Sequence, residues 1–144
     1  MKSMRAQIYD AVVAAMKNTG IVDAKNVHVA LDGEPVDYPA LSVGDRGDQA
    51  LEEDALTLRR SMEIAIVYDV VGGSGIDVTD KFNALTMSIQ TIIGANSQWG
   101  GLAEITTLGD LAMELTPHAE MRSMTGGQTV NIQFTQNRFD PTKP

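Results

Sequence analysis

No cysteine occurs among the 144 residues. That absence removes disulfide staples, thiolate zinc sites and cysteine nucleophiles together, and it suits a reducing interior such as a cytoplasm. Histidine is almost missing too. His28 and His118 are the only two, and neither has an i+4 partner to make metal-ligand spacing. No run approaches the roughly 18–20 apolar residues of a membrane span. In the basic start MKSMRAQIYDAVVAAMKNTG, Gln7, Tyr9 and Asp10 interrupt the apolar residues, so no signal-peptide core forms. Positive charge is scarce as well, with 11 Lys and Arg against 19 Asp and Glu. From Asp32 to Asp54, the carboxylates Asp32, Glu34, Asp37, Asp45, Asp48, Glu52, Glu53 and Asp54 stand against Arg46 alone, a net of −7. Phosphates are repelled by such a surface, which argues against tight nucleic-acid binding.

What is present reads as an ordinary globular chain of one-domain size. Residues Lys2 to Lys17 carry Met4, Ile8, Val12 and Ala15 or Met16 at helical spacing, and Gly20 follows where a helix stops. Asn26 to Leu31 alternates as a short strand before the Asp32-Gly33 turn signal. Tyr38 to Gly44 reads as a second strand opened by Pro39, whose missing N–H suits a strand start. A polar, acidic loop is expected from Gly44 to Ala55. From Leu56 to Val71 the apolar residues recur with period two, whereas a helix would put Arg59, Arg60 and Glu63 on the face of Leu56.

Sixteen residues at roughly 3.3 Å each span about 53 Å. A compact domain of this size is only about 38 Å across. Either the polar half of the strand around Thr57 to Ser61 projects, leaving unpaired backbone groups for another chain, or a bend folds it back.

Gly72-Gly73-Ser74-Gly75 reads as a flexible joint, followed by a helix capped by Asp77 or Thr79 with Val78, Phe82, Leu85, Ile89 and Ile92 on one stripe. Gly94 and Asn96 end it, and Trp99 reads as a packing anchor. Leu111, Met113 and Leu115 alternate as a fourth strand closed by Pro117. Val130, Ile132 and Phe134 alternate as a fifth, and Met124 to Gln128 supplies the turn residues between them. The order predicts an α+β fold, a mainly antiparallel sheet of about four to five strands packed against two helices. One domain is expected over 1–137, with a flexible tail over 138–144.

Chemistry-bearing constellations are weak. The glycine joint lacks the lysine of a phosphate loop. Paired carboxylates at Asp45 with Asp48, or at Glu52 with Asp54, suggest a small hydrolase as an alternative. Leu51 and Ala55 alone offer too little wall to shift a pKa there. The residues therefore predict a non-enzymatic protein with no catalytic residue, no metal site and no cofactor.

The opening amphipathic helix, the strand-opening run Tyr38-Pro39-Ala40-Leu41-Ser42-Val43, the acidic segment, the long alternating strand, the helix from Asp77 and the final Val130-Asn131-Ile132-Gln133-Phe134 strand come in a telling order. Together, over about Lys2 to Asn137, they resemble the tail terminator proteins of long-tailed bacteriophages, the lambda minor tail protein U type. The resemblance implies a hexameric ring on the head-proximal end of a tail tube, which stops tube polymerisation and presents a head-joining surface. Its implied partners are other copies of the chain, the major tail tube protein and a head completion or neck protein, with DNA only as passing cargo and no membrane. Its implied location is the virion tail, reached from the host cytoplasm during assembly. Another neck or head-tail completion protein of the same virion is the alternative in that class. Leu56, Thr57, Leu58, Arg59, Arg60 and Ser61 are the expected intersubunit contact. Asp45, Asp48, Glu52, Glu53 and Asp54 are the expected lining of a lumen or interface.

Overall fold

The computed structural model describes residues 2–18, 20, 22–29, 38–117 and 121–144. Helix α1, Met4–Asn18, buries Met4, Ile8, Val12, Val13 and Met16 along the stripe that the spacing predicts. Ser3 starts it by accepting the Ala6 N–H on its hydroxyl at 3.2 Å. Helix α2, Gly75–Ala95, buries Val78, Phe82, Leu85, Thr86, Ile89 and Ile93.

The cap of α2 differs from the sequence expectation. Ser74 is the N-cap, accepting the Asp77 N–H at 3.1 Å, while the Asp77 carboxylate accepts the Gly73 N–H at 3.1 Å. Two orphan amides are thus satisfied reciprocally. The bond from the Gly73 amide contributes most to depressing the Asp77 pKa, and Lys81 adds to it. Thr79 instead donates back to the Gly75 carbonyl at 2.7 Å. Gly72 serves close approach, since a Cβ there would lie 2.6 Å from the Asp77 carboxylate, whereas a Cβ on Gly73 or Gly75 would meet nothing within 4 Å.

The sheet contains β1 (Val27–His28), β2 (Ala40–Glu53), β3 (Thr57–Gly72), β4 (Ile105–Pro117) and β5 (Arg122–Asn137), in the spatial order β1-β2-β3-β5-β4. Only β1 and β2 run parallel. The fold is α+β, with a mostly antiparallel five-stranded sheet and two helices. The helix-side face of β3 (Met62, Ile64, Ile66, Tyr68, Val70) and of β5 (Met124, Val130, Ile132, Phe134) joins the two helical stripes in one hydrophobic cluster. Trp99 belongs to it, with its indole N–H donating to the Thr106 hydroxyl at 2.9 Å.

Three further expectations are corrected. First, Gly44 to Glu53 is strand, not loop. Its donors and acceptors pair with β3, and bulges between Asp45 and Asp48 and between Ala50 and Glu52 absorb the irregularity, Gly47 taking the positive φ of 99° that the first bulge needs. Second, Met124 to Gln128 lies inside β5. A Cβ on Gly126 would sit 2.0 Å from the Ala112 carbonyl oxygen and 2.8 Å from the Phe82 ring, so glycine here admits close packing instead of a turn. Third, the first strand covers only Val27–His28. Leu31 and the Asp32-Gly33 turn lie outside the described residues, as do Glu34, Asp37 and His118.

The segment after β5 folds back. The Arg138 amide donates to the Leu56 carbonyl at 2.7 Å and the Met4 amide to the Pro141 carbonyl at 2.7 Å. Residues 138–144, expected as a flexible tail, thus touch the β2–β3 turn and the start of α1.

Candidate assembly interface

β2 carries the acidic segment, and its two faces treat the carboxylates differently. Cross-strand partners share a face, so Asp45, opposite Ile64, and Asp48, opposite Met62, look toward α1. There Arg5 pairs with Asp45 and reaches Asp48 at 2.7 Å, and Arg60 reaches Asp48 at 2.5 Å. Glu52 faces the opposite side, 3.7 Å from Arg59. Glu53 and Asp54 are exposed. The neutralising arginines come from other elements, which the local count of charge along the sequence does not see.

Tyr9 stands beside this cluster, its hydroxyl 2.7 Å from the Val29 carbonyl and 2.5 Å from the Val43 carbonyl. Burial, then the charges of Asp45 and Asp10, push its pKa up. The strand-opening run places Ala40, Leu41 and Val43 in the core directly after a cis Tyr38-Pro39 bond, with Tyr38 and Pro39 exposed.

The β2–β3 hairpin closes in a tight turn at one end of the sheet. Asp54 accepts the Leu56 and Thr57 amides at 2.8 Å each and the Thr57 hydroxyl at 3.0 Å. Those bonds hold its carboxyl below the usual range, the Leu56 amide contributing most and Arg138 adding a small attraction. Leu56 projects from the turn, and Phe139 projects beside it from the folded-back segment, 66% and 79% exposed. Arg138 lies 5.9 Å from the Phe139 ring and donates to the Asp54 carbonyl at 3.1 Å.

Of the two alternatives for Thr57 to Ser61, unpaired backbone is not the one found. β3 is an inner strand, paired there with β2 on one side and β5 on the other. Its two arginines are engaged within the chain, Arg60 with Asp48 and Arg59 with Glu104 at 3.1 Å. At this three-stranded end β3 has both backbone edges paired, while among the described residues no strand pairs with the outer edge of β2 beyond Ser42 or of β5 beyond Gln133. Side chains do remain exposed at the turn.

Another open edge lies at β4, which the sequence pattern described as a strand without showing what covers it. Every residue of β4 except Thr106 is exposed. Leu108, Leu111, Met113 and Leu115 oppose Val130, Gln128, Gly126 and Met124, so all four share the helix-side face, yet each is 42–47% exposed. One extra residue makes this alignment possible. The bulge between Leu108 and Leu111 changes the parity of the strand, without which Leu108 and Leu111 would face opposite ways. Buried Gln128 holds the bulge, donating to the Gly109 carbonyl at 2.9 Å and accepting from Gln90 at 2.9 Å.

An apolar concavity of about 470 Å³ between α2 and the start of β2 is lined by Tyr38, Pro39, Val70, Val71, Lys81, Ala84, Leu85 and Ser88. Lys81 is its one charged group, 3.2 Å from Asp77. Among the described residues no cluster of three or more His, Asp or Glu could hold a metal ion. No described helix is long and apolar enough to cross a membrane.

No protein-family profile matches the chain, and no curated protein does. Among solved structures, the chain shares its fold with a chain in the virion of a native gene transfer agent particle. The TM-score is 0.56 at 14% identity, and the match covers 91% of this chain and 95% of that one.

Proposed function

We propose that this protein is a structural virion component that forms a ring, hexameric as the resemblance implies, on the head-proximal end of a phage tail tube. There it ends tube polymerisation and presents the surface for head joining. It acts by docking rather than by catalysis, with the tail tube protein below and a head completion protein above. The observation that carries this reading is the near full-length likeness in fold to a chain of a gene transfer agent virion. The sequence resemblance to tail terminators supplies the finer role. Two surface features support an assembly part: the uncovered apolar stripe of β4 and the projecting turn with Leu56 and Phe139. Exposed apolar patches of this kind mark interaction sites.

Glu52, Glu53 and Asp54 are the carboxylates left to line a lumen in this reading, since Arg5 and Arg60 occupy Asp45 and Asp48. A wall of that sign lets DNA pass without sticking. Polymerising the cognate tail tube subunits with and without the protein tests the role. Growth stops at a sub-stoichiometric ratio if it caps the tube, and tubes that lengthen at an unchanged rate reject the reading.

A further inference from the structure

Several strand edges lie open among the described residues, and most of them are short or blunted. β1, at one border of the sheet, is two residues long. On β2 the Val43 carbonyl accepts the Tyr9 hydroxyl, and two bulges interrupt the strand beyond it. β5 is free only from Phe134 to Asn137, where the Asn137 amide donates to the Lys143 carbonyl at 2.8 Å. β4 is different. From Leu111 to Thr116 it keeps an unbroken register with β5, and no described strand takes up its outer row of amides and carbonyls. An edge of that kind is a template for one more strand. The bulge before Leu111 and Pro117, which has no N–H, set its limits.

The two faces of this stretch specify the strand it fits. Leu111, Met113 and Leu115 lie on the helix side, while Ala112, Glu114 and Thr116 oppose Gly127, Thr125 and Ser123 on the other face. There Glu114 ends a cross-strand row. The Asp69 carboxylate on β3 accepts the Thr125 hydroxyl on β5, and Thr125 stands opposite Glu114. The next place in the row belongs to whatever pairs with β4. Asp110 is exposed in the bulge, and among the described residues no cation pairs with Asp69, Asp110 or Glu114.

Opposite charges on neighbouring strands stabilise a pair, and like charges oppose it. A second copy is therefore a poor occupant. The free stretch of β2 carries Asp45, Asp48, Glu52 and Glu53, that of β5 carries no charge, and a second β4 brings the same two carboxylates.

We propose that β4 recruits an extended segment of another protein as an added strand, about five to six residues that alternate apolar side chains with Lys or Arg. Main-chain hydrogen bonds along Leu111 to Thr116 hold it. Its apolar residues lie beside Leu111, Met113 and Leu115, and its cations extend the row from Glu114. This contact does not rest on the tail-tube reading.

A short capped peptide alternating valine with lysine is the probe. Fluorescence anisotropy compares it with an alternating valine–glutamate peptide, and with the same valines and lysines arranged in two blocks. The alternating valine–lysine peptide should bind the unaltered chain roughly tenfold more tightly than either. Asp110→Lys with Glu114→Lys, both at exposed positions, should reverse the order of the two alternating peptides. Should that variant unfold in a thermal melt, Glu114→Gln replaces it and should narrow the preference. On binding, hydrogen exchange should slow at the Leu111 to Thr116 amides that β5 leaves unpaired, and not on β2 or α2. No saturable binding at millimolar peptide overturns the proposal. So does a block peptide that binds equally well, a charge preference unchanged in the folded variant, or protection on another element. β4 amides already protected by self-association of the chain alone would overturn it in favour of a second copy.

Discussion

Arg60 donates through Nε to the Asp48 carboxylate at 2.7 Å, across the β2–β3 ladder and on the face that α1 covers. Arg5 reaches the same carboxylate from α1. Asp48 therefore ties a helix to two strands, with only 11% of its side chain exposed. Asp48→Ala leaves two guanidinium groups without their acceptor and should cost about 2 kcal/mol. Thermal denaturation should register that as a fall of about 4–8 °C. Asp48→Asn, which keeps an acceptor, should lose roughly half as much.

Gly126 and Gly94 should respond to alanine in opposite directions. At Gly126 the new methyl meets the Ala112 carbonyl and the Met113 Cα, both backbone, so the β4–β5 ladder must shift. Overpacking of that kind costs about 1–3 kcal/mol or more. At Gly94, exposed near the end of α2, nothing lies within 4 Å of the added Cβ. Gly94→Ala should raise stability by about 0.5–1 kcal/mol through the lower entropy of the unfolded chain. Urea unfolding of both variants measures the two signs together.

Tyr68 and Thr86 form a buried polar pair, oxygens 2.5 Å apart, with the Tyr68 ring stacked on Phe82 at 4.7 Å. Thr86 donates onward to the Phe82 carbonyl, so Tyr68 is the donor between them. Burial raises the Tyr68 pKa and outweighs the Thr86 hydrogen bond. Thr86→Val strands the phenol and should cost about 1–3 kcal/mol, while adding Tyr68→Phe should recover much of that loss. A double-mutant cycle by calorimetry checks the recovery.

Acid should loosen the β2–β3 turn. The folded-state pKa of Asp54 is depressed by the amides it accepts. Its contribution is therefore complete above the ordinary carboxylate value of about 3.9 and is lost as pH falls through the lower folded value. Hydrogen exchange at the Leu56 and Thr57 amides should accelerate below about pH 4, relative to amides at the centre of β3. Asp54→Ala should remove that pH dependence.

Much of this architecture was legible because the apolar period reports local geometry directly. The stripe Met4, Ile8, Val12, Met16 and the alternation from Leu56 to Val71 each gave the right element. Failures arose where distant residues decide the outcome. Gly126 and Gly127 resemble a turn locally, but Phe82 and Ala112 require their small size. Charges and glycines disguised the second half of β2, because its arginine partners come from α1 and β3. Alternation at Leu111, Met113 and Leu115 identified a strand, yet alternation carries no information about whether anything covers the face. Phe139 gave no periodic signal, and its place beside Leu56 comes from the chain folding back after Asn137.

Imaging purified tails that bear a labelled copy of the chain tests the proposed ring at one end of the tube. One ring of label at the head-proximal end of every completed tail is the expected result. Label spread along the tube, label at the opposite end, or tails that lack the protein and still join heads at fixed length would contradict it.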